Sequence, residues 1–195
     1  MTFKTLIAAI LVSALIVATA FADVAKPVPG WNLTGSNPSE FEAGIVPGAG
    51  QNRGPAAFLK SKGISAKGFG TLMQQFGAND FRSKRVRLSA AVRAEDVKRS
   101  GLWMRVDGET NYGIAFDNMQ DRPIAGNTGW QRYDVVLDVP VEAKIIAMGV
   151  LLADGGRVWL DDVRFEVVPD SIPTTGSKTH NPLPNAPVNL GFNQP

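Results

Sequence analysis

Frequent Gly, Asn, Asp and Pro residues divide the chain into short runs of strand-forming residues, and this pattern restricts the fold more than any other feature. Residues 85–93 show it most clearly, because the even-numbered positions are all apolar and the odd-numbered positions are mostly polar. Such alternation predicts a strand with one buried and one solvated face. Seven runs of strand type predict an antiparallel sandwich of two sheets: residues 70–76, 85–93, 101–107, 112–117, 131–139, 145–152 and 157–168.

Helical patterns are confined to two short segments, residues 54–62 and 94–100. Neither is long enough to cover a parallel sheet, so architectures that alternate strands and helices are disfavoured. The sequence also contains no internal repeat that would indicate a solenoid or a propeller. We therefore expect an all-β domain, an antiparallel β-sandwich.

The two ends of the chain differ in composition from its centre. Residues 1–22 combine a basic start, an apolar stretch and a final Ala-Phe-Ala, which predicts a cleaved signal peptide and a periplasmic or secreted protein. An uncleaved membrane anchor is the alternative, and no later segment is apolar enough to span a membrane. We expect a linker at residues 23–30, the sandwich at residues 31–168, and a disordered tail at residues 169–195.

The net charge argues against nucleic acid and anionic membranes as partners. The full chain has 20 basic and 18 acidic residues. Cleavage after residue 22 would remove only Lys4 from this count, which leaves 19 basic against 18 acidic residues and a net charge of about +1. The chain has no cysteine, so disulfides cannot stabilise it. We expect a monomer held together by its core.

Candidate binding residues are concentrated in residues 101–122. The even-numbered positions 102–106 are apolar, whereas Trp103, Arg105 and Asp107 fall on the opposite face of the same predicted strand. An indole, a guanidinium and a carboxylate in line can stack on a polysaccharide or a small polar ligand and hydrogen-bond its edges. A core tryptophan is the structural alternative for Trp103. The predicted binding set adds residues of neighbouring strands and of the following loop: Gln75, Arg87, Asp117, Asn118 and Gln120.

Groups for catalysis are scarce in this sequence. The single histidine, His180, lies in the predicted tail, so Ser–His catalysis and zinc or iron sites are disfavoured. A glycoside hydrolase or lyase could use two carboxylates near the binding strand, taken from Asp107, Glu109, Asp117 and Asp121. The structural alternative is that Asp107 forms a turn and Asp121 a surface ion pair. We expect a binding protein rather than an enzyme.

Five blocks follow one another between residues 68 and 168: GFGTLMQQFGANDFRSKRVRLSAAVR, GLWMRVDG, FDNMQDRPI, GWQRYDVVLDVP and VWLDDVRFEVV. In this order they resemble a bacterial module of the galactose-binding-like jelly-roll type, the type of many carbohydrate-binding modules. Similar modules stand alone behind signal peptides or are appended to AraC-type regulators and secreted hydrolases. The resemblance implies a jelly roll of two antiparallel sheets, a fold that hosts many unrelated functions. Together with the alternation in residues 101–107, it leads us to expect a non-catalytic module that binds a carbohydrate or a similar polar ligand. A structural or protein-interaction domain of the cell envelope is the alternative.

The resemblance also implies a structural calcium ion. Related carbohydrate-binding jelly rolls often hold calcium where an early acidic residue meets an aspartate near the last strand. Here Glu40 or Glu42 and Asp161 or Asp162 occupy similar places, and we expect Glu42, Asp161 and Asp162 to supply the oxygen ligands. The alternative is that one of the two aspartates caps a turn and the other is solvated.

Overall fold

The described part of the chain is built almost entirely from antiparallel strands. The computed structural model describes residues 26–176 and residue 190, and these contain nine strands and two single turns of 3-10 helix, Pro38–Glu40 and Asn79–Phe81. None of the helical segments in residues 26–176 has the length and apolar content needed to cross a membrane. The strands are β1 (Asn32–Gly35), β2 (Phe41–Val46), β3 (Ala56–Ser61), β4 (Phe69–Gly77), β5 (Lys84–Asp107), β6 (Ala115–Asp117), β7 (Ile124–Val139), β8 (Ile145–Ala153) and β9 (Arg157–Val168).

Strand β5 is 24 residues long and belongs to both layers of the sandwich. Its first half, residues 84–95, pairs with β7 and β9, whereas residues 99–107 pair with β8 and β6. Register shifts between Val92 and Ser100 bend the strand between these halves. The front sheet therefore has the order β1-β4-β8-β5-β6, and the back sheet has the order β7-β5-β9-β3-β2.

The inward faces of the two sheets form one apolar core. Leu102, Met104 and Val106 of the front sheet are at most 1% exposed, and they belong to the same cluster as Val86 and Leu88 of the back sheet. Burying one side chain of this size stabilises the fold by about 1.5–3 kcal/mol. The expected all-β antiparallel sandwich is confirmed.

The two segments with helical patterns are strands, so the helix predictions are wrong. Residues 56–61 form β3, which pairs with β2 and β9, and residues 94–100 continue β5. Phe58 and Leu59 are both fully buried although they point to opposite faces of β3. Phe58 packs with Trp159 and Trp130 on the outer face of the back sheet, in a second apolar cluster. A short apolar run that is buried on both faces cannot be distinguished from a helix by periodicity.

Parts of the predicted linker and tail pack against the sandwich. Lys26 forms an antiparallel bridge with Ile45, and Val28 packs against the core. At the other end, residues 169–176 fold back onto β7, where the Thr175 amide donates to the Val136 carbonyl (3.0 Å). The prediction of disorder is wrong for residues 169–176, because hydrogen bonds rather than apolar burial hold them. The remaining tail, apart from residue 190, and the predicted signal peptide lie outside the described residues.

Asp117 is the centre of this attachment. Its buried carboxylate accepts hydrogen bonds from the Thr175 hydroxyl (2.6 Å) and the Met119 amide (2.8 Å), and it forms an ion pair with Arg122. The Thr175 hydroxyl oxygen also accepts from the amide of Val136 (2.7 Å). Although burial alone would raise the pKa of Asp117, the bonds from Arg122, Thr175 and Met119 hold it below its ordinary value.

Replacement of the Thr175 hydroxyl tests the folded-back segment. Thr175→Val keeps the side-chain shape but removes one donor and one acceptor, so the free energy of unfolding should fall by about 2 kcal/mol. Urea unfolding at neutral pH measures the change. Thr174→Val is the matched control, because no hydrogen bond of the Thr174 hydroxyl is found among the described residues. Equal stability of both variants and the unaltered chain would contradict this account of residues 169–176.

The lowered pKa of Asp117 predicts a specific loss of stability in acid. A carboxylate with a depressed pKa in the folded state contributes stability above its unfolded-state pKa of about 3.9, and this contribution is lost as pH falls below that value. Asp117→Asn should therefore lower stability at pH 7 and show a smaller further loss between pH 5 and pH 3 than the unaltered chain. Parallel urea titrations measure it, with Asp121→Asn, an exposed carboxylate on the same arginine, as control. An identical acid loss in Asp117→Asn and the unaltered chain would contradict the assignment.

Candidate binding cleft

A cleft of about 410 Å³ lies on the outer face of the front sheet. Strand registers explain which residues line it. Trp103 stands opposite Gly149 of β8, which stands opposite Met73 of β4. Because side chains on one face recur every two residues, positions 99, 103 and 105 of β5 share this face with positions 71, 73 and 75 of β4. The face opposite the core therefore carries a continuous set of side chains from five strands, β1, β4, β5, β6 and β8.

Trp103 lies across the sheet and forms part of the cleft floor. Its indole Nε1 donates to the Thr71 hydroxyl on β4 (2.7 Å), two strands away from β5. The Thr71 hydroxyl in turn donates to the Val150 carbonyl (2.8 Å). The intervening position on β8 is Gly149, where a Cβ atom would lie 2.3 Å from the Leu72 carbonyl oxygen. Trp103 is 8% exposed, so it is a fixed surface of the cleft rather than a freely projecting ring.

Arg105 is held at the cleft by Asp107. The Arg105 Nε and Nη2 atoms donate to the Asp107 carboxylate at 2.8 and 2.9 Å, and the Gly113 amide donates to the same carboxylate (2.7 Å). Asp107 is 2% exposed and does not line the cleft. Asp107 orients the Arg105 guanidinium and holds the loop after β5 through the Gly113 amide. This role is close to the alternative in which Asp107 forms a turn. The guanidinium also lies 5.9 Å from the ring centroid of Tyr112, which is 82% exposed.

In addition to Thr71, three residues that line the cleft are polar and uncharged. Gln75 lies on β4, Thr34 lies on β1 and Asn118 follows β6. The loop that carries Asn118 packs closely on β5 at Gly101, where a Cβ atom would lie 3.0 Å from the Asn118 carbonyl oxygen. Of the residues predicted to bind the ligand, the structure thus brings Trp103, Arg105, Gln75 and Asn118 together in one cleft.

Two phenylalanines and an arginine are among the lining residues that sequence reasoning missed. Phe69 and Phe116 are 38% and 46% exposed, and they contribute apolar surface from β4 and β6. Arg99 lies on the same face of β5 as Trp103. Because every second side chain of a strand lies on the same face, the sequence could have placed Arg99 on the face of Trp103. The two phenylalanines carried no such signal, because exposed and buried phenylalanines look alike in a single sequence.

Arg87, Asp117 and Gln120 do not line the cleft. Arg87 lies on the first half of β5, in the back sheet, where it pairs with Glu166 (2.8 Å). The prediction that it shares a trough with Trp103 is wrong, because β5 bends from one sheet to the other between these two residues. Asp117 is buried under the loop that follows β6, and Gln120 is exposed on that loop.

No carboxylate lines the cleft among the residues that the structure describes. The four candidates for glycoside chemistry each have a cationic partner: Asp107 with Arg105, Asp117 and Asp121 with Arg122, and Glu109 with Lys144. A general acid for glycoside cleavage needs a raised pKa. The pKa of Asp117 is instead lowered, since its hydrogen bonds outweigh the effect of burial.

The three carboxylates expected to hold calcium do not converge. Glu42 forms an ion pair with Lys60, and Lys60 stands opposite Arg157 of β9. Asp161 lies four residues further along β9 than Arg157, a distance of about 13 Å. Asp161 accepts from the Gln51 amide (2.8 Å), and Asp162 pairs with Arg132 and Arg164. No group of three or more His, Cys, Asp or Glu side chains suited to a metal occurs in the described part of the chain. These residues do not fit the expected ligand set, and calcium binding stays a prediction.

Comparison with known proteins relates the chain to one longer curated relative. No protein-family model matches the sequence. The chain is 42% identical over 171 residues to an uncharacterised helix-turn-helix transcriptional regulator, YbfP, of Bacillus subtilis strain 168. The match covers 87% of this chain and 58% of the relative, so the chain spans little more than half of that protein.

Solved structures with the same fold include binding modules at low sequence identity. The C-terminal family 22 carbohydrate-binding module of Clostridium thermocellum Xyn10B matches with a TM-score of 0.51 at 13% identity, over 75% of this chain and 91% of that one. The xylan-binding CBM22-1 domain of Paenibacillus barcinonensis Xyn10C has a TM-score of 0.50 at 12% identity, over 71% and 86%. An enzymatically active tailspike domain of bacteriophage CBA120 has a TM-score of 0.53 at 15% identity, over 72% and 20%. The chain has the jelly-roll fold found in carbohydrate-binding modules.

Proposed function

We propose that the protein is a secreted, non-catalytic module that binds a carbohydrate chain in the cleft of the front sheet. The observation that carries the proposal is the composition of the cleft. Aromatic rings stand beside amide and hydroxyl groups, and no carboxylate lies among the described lining residues. Binding sites for polar ligands combine apolar surface with a few fixed polar groups in this way.

The aromatic and polar groups suit a sugar in complementary ways. The C–H face of a sugar ring packs on an aromatic ring, which Phe69, Trp103 and Phe116 offer along the cleft. The hydroxyl groups of the sugar need donors and acceptors, and the side-chain amides of Gln75 and Asn118 supply both. Trp103 is already fixed by Thr71, so little side-chain entropy is lost when a ligand packs against it.

The comparisons support this proposal but do not identify the ligand of this protein. Two structures of the same fold are named as carbohydrate-binding or xylan-binding modules. The longer Bacillus relative is named as a transcriptional regulator. Because the chain spans only 58% of that protein, we do not assign a regulatory role to it. The cationic partners of the four candidate carboxylates favour binding over catalysis.

Phe116→Ala tests the cleft as a sugar-binding surface. Affinity electrophoresis in gels that contain xylan, agarose or polygalacturonate should show retardation of the unaltered protein by at least one polymer. Loss of one aromatic contact should weaken the affinity for that polymer about tenfold, equivalent to about 1.4 kcal/mol. Val167→Ala is the control, because Val167 is similarly exposed but lies on the back sheet.

Two outcomes would contradict the proposal. The first is the absence of retardation in all three gels, which would favour the alternative of a protein-interaction domain. The second is equal weakening of binding by Phe116→Ala and Val167→Ala. Thermal melting of both variants shows whether the substitutions leave the fold intact.

Export is tested separately from binding. Residues 1–22 have the composition of a cleaved signal peptide, so the protein released by a bacterial host should begin at residue 23. Intact mass measurement of periplasmic and cytoplasmic fractions shows where the protein resides and whether 22 residues were removed. Retention of the full-length chain in the cytoplasm would contradict secretion.

A further inference from the structure

The charge of the cleft differs from the near balance of the whole chain. Two arginines, Arg99 and Arg105, line it together with neutral residues, and no acidic side chain of the described residues joins them. A neutral polysaccharide can accept hydrogen bonds from a guanidinium group but cannot compensate its charge. The two arginines therefore call for a separate explanation.

The two arginines are in different electrostatic states. Arg105 shares its Nε and Nη2 atoms with the buried carboxylate of Asp107, so most of its charge is compensated within the protein. The Arg99 side chain is exposed, and within residues 26–176 its guanidinium makes no hydrogen bond or ion pair. Its strand partner on β8 is Ala153, which offers no polar side chain. Arg99 thus brings an uncompensated positive charge to the cleft.

The acidic residues Asp117, Glu109 and Asp154 do not line the cleft. Asp117 is buried and pairs with Arg122, and Glu109 pairs with Lys144. Asp154 follows Ala153 at the end of β8, but it does not line the cleft. None of the three supplies the anion that Arg99 lacks inside the cleft.

The geometry points to a polysaccharide that carries anionic groups, carboxylate or sulfate, as the ligand of this cleft, with Arg99 as the residue that binds the anion. This inference rests on the proposed function and names the class of its ligand. Guanidinium groups bind carboxylate and sulfate through two parallel N–H···O bonds. Arg99 and Arg105 are six residues apart on one face of β5, about 20 Å, so they contact different sugar units of one chain.

A matched pair of polymers tests the inference. Polygalacturonate and its fully methyl-esterified form have the same backbone, but only the first carries charged carboxylates. The unaltered protein should bind polygalacturonate about tenfold more tightly at low ionic strength, and the preference should shrink in 1 M NaCl, where the Debye length is about 3 Å. A sulfated galactan beside neutral agarose forms the second arm, and it distinguishes sulfate from carboxylate as the recognised anion.

Arg99→Gln should abolish the preference for the charged polymer, so that the ratio of the two affinities falls from about ten to about one. Lys98→Gln is the control, since it removes the same charge from the adjacent residue, which does not line the cleft. Equal affinity for charged and neutral polymers, or a preference that survives Arg99→Gln, would overturn this inference while the proposed function stands. Absence of binding to every polymer would instead contradict the proposed function itself. Thermal melting confirms that both variants fold.

Discussion

The bend of strand β5 between the two sheets determines which of its residues face the cleft. One continuous strand pairs with β7 and β9 in the back sheet and then with β8 and β6 in the front sheet. Asp96 lies within the bend at a positive φ of 52°, a conformation that most residues avoid. The bend places Arg87 and Trp103 on opposite outer surfaces, although both lie on the outward face of the same strand.

The cleft depends on polar contacts made behind its surface. The Thr71 hydroxyl fixes the indole of Trp103, and Asp107 fixes the guanidinium of Arg105. Neither Asp107 nor Asp117 faces the cleft, but each carboxylate holds a neighbouring loop or side chain in position. A rigid floor and oriented donors reduce the entropy lost on binding.

Sequence reasoning predicted the sandwich and the location of the cleft from period-two patterns. The alternation in residues 101–107 placed Trp103 and Arg105 on the face opposite the core, which is where the structure has them. It failed where a pattern depended on distant residues. Strand β3 looked helical because Phe58 and Leu59 are buried on opposite faces of the strand. Residues 169–176 looked disordered because they contain few apolar residues, and the hydrogen bonds that hold Thr175 leave no pattern in the sequence. Arg87 was misplaced because a single sequence does not show where a long strand changes sheets.

Chemical-shift mapping tests the central claim most directly, because it reports where a sugar contacts the folded protein. The indole Nε1–H signals of Trp103, Trp130 and Trp159 report on the front cleft and on the outer back sheet separately. Titration with oligogalacturonate and with xylohexaose should shift the Trp103 indole and the side-chain amides of Gln75 and Asn118 for at least one of the two sugars. The Trp130 and Trp159 signals should stay in place. Shifts confined to Trp130 and Trp159 would contradict the assignment of the front cleft as the binding site.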